Sequence, residues 1–275
     1  MPALLLITFH RARISKRASI IHSHILIQAG DLLTIKAVSL DFWNTLFTEP
    51  VDGFEFYKER RRQLLKEAAI APLGDEQIER AFTRESVLHH TIWIEEHRTL
   101  PAGERLSRVC AYLDVALPRD VMARLTAAFE EGILERPPVL IEGVRETIEH
   151  LASRYRLGII SDVGYSPGRV LRRVLKDAGI LDLFDSMIFS DEAGCSKPHR
   201  EVFNRTSDAL GAAAGEMVHI GDLEHTDIVG AKRAGYRAIR FTGATRMEAN
   251  EKTEADHVTE DFAQVPRIIE VMDGR

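Results

Sequence analysis

Five side chains spread along a 275-residue chain have the types and settings to do chemistry together. Asp41 closes the apolar run Ile35, Ala37, Val38, Leu40. Asp222 and Asp227 flank a turn in Gly221-Asp222-Leu223-Glu224-His225-Thr226-Asp227, again after an apolar run. Lys197, followed by Pro198, comes after a third such run, and Ser161 ends a fourth. Carboxylates at the tips of two parallel strands can share one hard cation, because Mg²⁺ is commonly held by one or two carboxylates with water and phosphate oxygens completing its shell. A lysine there would neutralise both a carboxylate and a phosphoryl oxygen, and a serine hydroxyl could hydrogen-bond the remaining anionic oxygens. Taken singly, each residue has a commoner structural role. Asp41 can form a turn or cap a helix, Ser161 can cap, Lys197 can be a solvated charge, and Asp227 can complement a helix dipole.

The elements that would bring them together follow one grammar. Ile35–Leu40, Leu157–Ile160, Met187–Phe189, Met217–Ile220 and Ala238–Phe241 are short apolar runs that stop at small or polar residues, as strands buried on both faces do. Helix-period stretches lie between them at Val144–Arg154, Gly168–Ala178, Glu201–Leu210 and Thr226–Ala234, the last stopped by Gly235, and Pro198 is placed to begin the third. Strands alternating with helices predict an α/β fold with a doubly wound, mainly parallel sheet. Ligands in such sheets sit beyond the carboxyl ends of the strands, where the polar tips gather.

Residues 51–137 break the alternation. Helices are expected near 54–70, 75–97, 103–114 and 118–133, punctuated by Pro72, Gly74, Pro101, Gly103 and Pro118, with no strand among them. The expected organisation is a core of 35–50 and 138–275 with an inserted helical cap over the strand tips. Residues 1–34, with four basic side chains and no acid before Asp31, form a separate N-terminal extension; no small-residue cleavage site marks it as a targeting peptide.

The balance of 36 Lys and Arg against 42 Asp and Glu, a net charge of −6, offers no global attraction to nucleic acid or anionic membrane. No apolar run nears the roughly 18 residues of a spanning helix, so a cytoplasmic location is the default expectation. Cys110 and Cys195 are far apart and lack the spacing of a disulfide framework or zinc site. Oligomeric state is not legible.

In order, these elements resemble the haloacid dehalogenase (HAD) superfamily, which joins a Rossmann-like core to a cap. The resemblance covers most of residues 36–243: an Asp loop after the first strand (Asp41), a Ser or Thr ending the second (Ser161), a downstream Lys (Lys197) and a terminal acidic pair (Asp222, Asp227). Ser190–Phe203 and Gly221–Gly235 resemble the family in detail, and the helical insert resembles its C1-type cap. The resemblance implies Asp41 as nucleophile and Mg²⁺ bound by Asp41, the Trp43 backbone carbonyl and Asp222, with Asp227 in support or acting through water. It implies Thr45, Ser161 and Lys197 as phosphate contacts, and a small anionic substrate.

One position departs. The family's phosphatases carry a second Asp, the general acid and base, where this chain has Trp43. An indole cannot exchange protons near neutral pH, and loss of such a group typically costs on the order of 10² to 10⁴ in rate. Three readings follow: a phosphatase whose proton comes from Glu224, His225, His89, His90 or Glu95, or whose leaving group needs none; a 2-haloacid dehalogenase, whose family members carry an aromatic residue at this position; or a phosphate- or partner-binding protein with weakened turnover. Two further acids beside a nucleophilic Asp repel it unless a cation lies among them, which favours the first. Phe54, Phe56, Tyr57 and Arg60–Arg62 could contact an anionic substrate, although the arginines also read as the solvated face of an amphipathic helix.

Overall fold

The apolar segment Ala37–Leu40 (β1) is completely buried, as a central strand covered on both faces must be. The computed structural model describes residues 34–69, 72–245 and 252–274 and sets β1 in the middle of a six-stranded sheet. The elements that follow are β2 (Phe47–Thr48), α1 (Gly53–Ala68), α2 (Asp75–Glu96), α3 (Ala102–Tyr112), α4 (Arg119–Glu131), β3 (Val139–Leu140), α5 (Val144–Ala152), β4 (Arg156–Ser161), α6 (Gly168–Asp177), β5 (Ser186–Phe189) and α7 (Ser190–Ala193). The chain continues through α8 (Arg200–Leu210), β6 (Met217–Gly221), α9 (Val229–Ala234), β7 (Arg237–Phe241), β8 (His257–Thr259) and α10 (Val265–Met272). Apart from Thr34, the N-terminal extension lies outside the described residues. Among the described residues no helix is long and apolar enough to cross a membrane.

The sheet order is β5-β4-β1-β6-β7-β8 and every pairing is parallel. Strands build outward from β1 through β4 and β5, then restart at β6 on the other side of β1. The carboxyl ends of β1 and β6 therefore flank the point where the order reverses, the crevice that receives ligands in such sheets. Side chains alternate across the sheet. Val38, Leu40, Leu157, Ile159, Val218 and Ile220 pack with α5, α6 and α10 on one face, and Ala37, Ile160, Met217 and Ala238 pack with α8 and α9 on the other.

Helices α1 to α4 follow one another with no strand between them among the described residues and have an apolar core of their own, built around Leu65, Ile78, Phe82, Leu106, Val109, Leu125 and Phe129. At the two places where the chain enters and leaves this layer, β2 and β3 pair antiparallel, Phe47 with Leu140 and Thr48 with Val139. Two-residue strands carry no periodic signal, so the sequence did not reveal them. Pro198 does not begin a helix as expected: α8 starts at Arg200, with the His199 ring accepting from the Glu201 backbone N–H at 3.3 Å. Nor does the expected helix over Thr226–Ala234 start regularly. Glu224–Ile228 forms one wide turn, in which the Ile228 N–H reaches the Leu223 carbonyl, before α9 begins.

Inside the helical layer, Arg105 of α3 donates to both oxygens of Glu85 of α2, at 2.7 and 2.9 Å, and both residues are buried. Removing one partner of a buried pair strands the other charge and costs about 3–5 kcal/mol, whereas replacing both with apolar groups can be nearly neutral. Glu85→Ala is therefore expected to lower the urea midpoint by an amount equivalent to about 3–5 kcal/mol, and Glu85→Met with Arg105→Leu to recover most of it. Equal stability of the single and double variants would contradict this.

Candidate active site

Asp41 takes its position from β1, whose register with β6 is fixed by the pairs Leu40 with Ile220 and Ser39 with His219 and extended by the Asp41 N–H to the Ile220 carbonyl at 2.9 Å. Across the crevice the loop before α8 brings in Lys197, which is 2 % exposed. Its Nζ donates to Asp41 Oδ1 at 2.5 Å and to Asp227 Oδ1 at 2.6 Å. Burial alone would lower this ammonium's pKa, but Asp227, Asp41 and Asp162 outweigh it and raise it well above the ordinary lysine value. Lys197 is charged throughout the working pH range.

Asp227 is turned back under the strand tip by the wide turn. The turn needs Gly221: a Cβ there would lie 2.3 Å from Asp227 Cγ. Besides Lys197, Asp227 Oδ1 meets His219 Nε2 at 3.2 Å, and Oδ2 accepts the Leu223 N–H at 3.0 Å. Burial would raise this carboxyl, yet Lys197 and His219 prevail and hold it well below the usual carboxylate range. His219 itself is fully buried, which lowers its pKa and keeps the ring neutral. A neutral ring that accepts the Ser39 hydroxyl at Nδ1, 2.9 Å away, carries its proton on Nε2 and donates it to Asp227.

Asp41, Asp222 and Asp227 each offer one carboxylate oxygen, and these atoms lie within 4.8 Å of one another. Two of the three are under-compensated. Burial, then Asp227 and Asp222, raise Asp41 against the pull of Lys197. Burial and Asp227 push Asp222 up to about 7. Asp222 Oδ2 is buried and, among the described residues, accepts no hydrogen bond. The Asn44 side chain, carried by a residue in the left-handed conformation at φ 55°, offsets only a small part of that rise. An orphaned buried carboxylate oxygen beside two further acids, with one lysine serving all three, fits a divalent cation.

Ser161 ends β4 beside β1, buried, with its hydroxyl donating to the Asp162 carbonyl at 3.2 Å. Thr45 is fully buried and its Oγ1 lacks a partner among the described residues. The Trp43 ring stands edge-on to Phe42 and lines a cavity of about 600 Å³ between the helical layer and the core. Of the candidate proton carriers, Glu224 is taken up by Arg240, Thr253 and the Glu254 N–H. His225 and His90 pack against Trp93, with ring centroids 5.5 and 5.7 Å away, and Glu95 is exposed. His89 lines the cavity, but burial and then Arg105 lower it to about 4.

Sequence reasoning missed the residues that brace this centre. Asp162 accepts the Lys197 backbone N–H and the Trp93 indole N–H, both at 2.9 Å, so one core carboxylate holds the lysine loop and α2 together. Its place next to Ser161 was the available signal. For His219 the signal was a polar side chain inside an otherwise apolar strand.

A model of the haloacid dehalogenase-like hydrolase family matches residues 35–235. Over 136 residues the chain is 28% identical to a glyceraldehyde 3-phosphate phosphatase of Pyrococcus furiosus, covering 48% of this chain and 54% of that one. Over 128 residues it is 31% identical to a phosphoglycolate phosphatase of Pectobacterium atrosepticum, covering 46% and 53%. The chain thus spans about half the length of these curated relatives. Its fold resembles a 2-haloacid dehalogenase from Pseudomonas syringae (TM-score 0.66, 22% identity, 86% of this chain and 99% of that one) and a HAD phosphatase from Thermococcus onnurineus (TM-score 0.60, 24% identity, 86% and 98%).

The carboxylates predict a pH-dependent response to a cation. Asp41 and Asp222 hold protons more tightly folded than unfolded, so their contribution favours the folded state at low pH and is lost as pH rises, for Asp222 through about 7. Asp227 acts in the opposite sense, its contribution lost on acidification. A divalent cation competes with the protons on Asp41 and Asp222. The gain in Tm from Mg²⁺ over a chelated sample is therefore expected to grow from about pH 5.5 to about pH 7.5, and Asp222→Asn to flatten that growth. A gain independent of pH, or unchanged in Asp222→Asn, would count against a shared cation.

Proposed function

The chain belongs to the haloacid dehalogenase-like hydrolase family, and we propose that it is a Mg²⁺-dependent phosphoric monoester hydrolase acting on a small anionic substrate. The observation that carries the reading is the buried, unpartnered Oδ2 of Asp222 among three carboxylates served by one lysine. Asp41 and Asp222, with the Trp43 carbonyl, would hold the ion, and Asp227 would position Lys197. Bound there, Mg²⁺ would supply the charge that keeps the carboxylates ionised and would polarise the phosphoryl oxygens. The names of the curated relatives support a phosphorylated substrate. In this reading residues 51–137 are a C1-type cap inserted into a core of 35–50 and 138–275.

Asp41 is the nucleophile. Lys197 binds its Oδ1, and among the described residues Oδ2 accepts no hydrogen bond and is free to attack. Attack on phosphorus forms an aspartyl-phosphate and breaks the bond to the leaving oxygen, which keeps the electron pair. Water then attacks the phosphorus and breaks its bond to Asp41, so that inorganic phosphate leaves with the water's oxygen and the carboxylate is restored, one proton being released to solvent or phosphate. Lys197, with Ser161 and Thr45 at the adjacent strand tip and loop, stabilises the charge on the phosphoryl oxygens. Protonation of the leaving oxygen is the weak step: the Trp43 indole N–H is far too weak an acid to deliver a proton, His89 is unprotonated at neutral pH, and Glu224 is engaged. The arrangement favours leaving groups that depart as anions. Trp43 also suits carbon–halogen hydrolysis, which needs no proton, but that chemistry leaves the acidic cluster without a use.

With Mg²⁺ the protein is expected to hydrolyse p-nitrophenyl phosphate, and Asp41→Asn or a chelator to lower kcat by on the order of 10³ or more. Halide release from 2-chloropropionate in the presence of a chelator would instead assign a dehalogenase, and metal and phosphate binding without turnover would assign a binding protein. Trp43→Asp is expected to raise kcat on alkyl phosphates by roughly 10², with little gain on p-nitrophenyl phosphate. No gain in a folded, Mg²⁺-binding variant would show that another group already delivers the proton.

A further inference from the structure

Three consecutive arginines on α1 meet different fates. Successive helical residues point about 100° apart, so the three cannot share one environment. Arg60 pairs with Glu135 at 3.0 Å, and Arg62 pairs with Glu79 and Glu59 on the surface. Arg61 turns inward and lines the cavity of about 600 Å³ that Trp43 and Asp162 wall on the core side. Its guanidinium lies over the Tyr165 ring, 4.4 Å from the centroid, with Arg105 against the same ring at 3.7 Å.

The two arginines around Tyr165 differ in compensation. Arg105 is neutralised by its bidentate contact with Glu85, whose Oε2 also accepts the Tyr165 hydroxyl at 3.0 Å. Arg61 forms no ion pair or hydrogen bond among the described residues. Glu49 and Glu85 act on it only from beyond salt-bridge distance, and burial pulls its pKa below the ordinary arginine value. An uncompensated guanidinium, held over an aromatic ring at the wall of a partly desolvated cavity, is a cation lacking an anion. A cavity of this volume falls within the roughly 300–1,000 Å³ of small-molecule sites. Around the same space, Phe54, Tyr57, Phe82 and Val87 supply apolar contact.

We propose that Arg61, backed by Tyr165, binds a second anionic group, a carboxylate or another phosphate, on a substrate whose apolar body fills this cavity. The proposal rests on the reading of Asp41 as the phosphoryl site. It narrows the substrate class to phosphate esters that carry a distal anion.

Binding of unreactive phosphonates, followed through the tryptophan fluorescence of the intact protein with Mg²⁺, tests this without requiring turnover. The probes are benzylphosphonate, 4-carboxybenzylphosphonate and p-xylylene bisphosphonate. At least one of the two with a second anion is expected to bind about tenfold or more tighter than benzylphosphonate, the scale of one charge-assisted contact. Whichever of them does so identifies the group. In Arg61→Met the ratio of Kd values is expected to fall to near one and in Arg61→Lys to be partly restored, while Arg60→Met, on the surface, keeps it. Equal affinity for all three probes, binding of none, or a preference that survives in Arg61→Met overturns the proposal. A wild-type protein that shows the preference but does not hydrolyse p-nitrophenyl phosphate would refute the phosphatase reading and leave the Arg61 site standing.

Discussion

One buried ammonium organises the site. Lys197 sits 2.5 Å from Asp41 Oδ1 and 2.6 Å from Asp227 Oδ1 and is the counter-charge that both carboxylates share. The neighbouring residues hold that ammonium in place or share its work. Asp162 anchors the Lys197 backbone, while His219 and the Leu223 N–H satisfy the rest of Asp227. The Asp227 carboxylate, which can only accept, sets the histidine tautomer, and the Ser39 hydroxyl donates to the other ring nitrogen. Asp227 is thereby saturated and behaves as a fixed counter-charge, whereas Asp222 keeps a bare oxygen. The asymmetry between two acids only five positions apart follows from the wide turn, which folds one back under the strand and leaves the other at the crevice.

Much of this was legible in the sequence because strand tips announce themselves. Apolar runs ending at Asp41, Ser161 and Asp222 can be read without coordinates, and the parallel sheet follows from the helices between them. The helical layer was legible for the same reason, through periodicity and its Pro and Gly punctuation. What escaped depends on angles and on partners distant in the chain. Arg60, Arg61 and Arg62 look alike as letters, and only the rotation of α1 against Tyr165 decides which one points inward. The role of Asp162 requires Trp93, 69 positions earlier, to arrive at its other oxygen. His219 needs the Asp227 carboxylate, folded back by the wide turn, to fix its proton, and Ser39 from the neighbouring strand to satisfy its other nitrogen.

Trp43 fits the same logic. Its ring packs on Phe42, which stacks on Phe47 at 4.8 Å, so the residue that replaces the family's second acid extends the apolar core to the cavity wall. A carboxylate there, two positions along the chain from Asp41, would bring a further acid towards a cluster that already pushes Asp222 up to about 7. The indole removes a proton carrier and also spares the cluster a further like charge. One side chain both withholds a carboxylate from this position and supplies an apolar wall to the cavity.

The turn after β4 joins the helical layer to the charged centre. Asp162 at its start binds Trp93 of α2 and the backbone of Lys197, and Tyr165 near its end reaches Glu85 of α2 and meets the guanidiniums of Arg61 of α1 and Arg105 of α3. Moving the layer away would strip one donor from Asp162 and withdraw the Tyr165 ring from both guanidiniums. The uncompensated Arg61 would then lose the face that orients it, while Arg105 would keep Glu85 because both belong to the layer. The geometry that arms the distal cation therefore exists only while the layer is docked, and the same docking supplies Asp162 with the indole hydrogen bond that steadies the lysine loop.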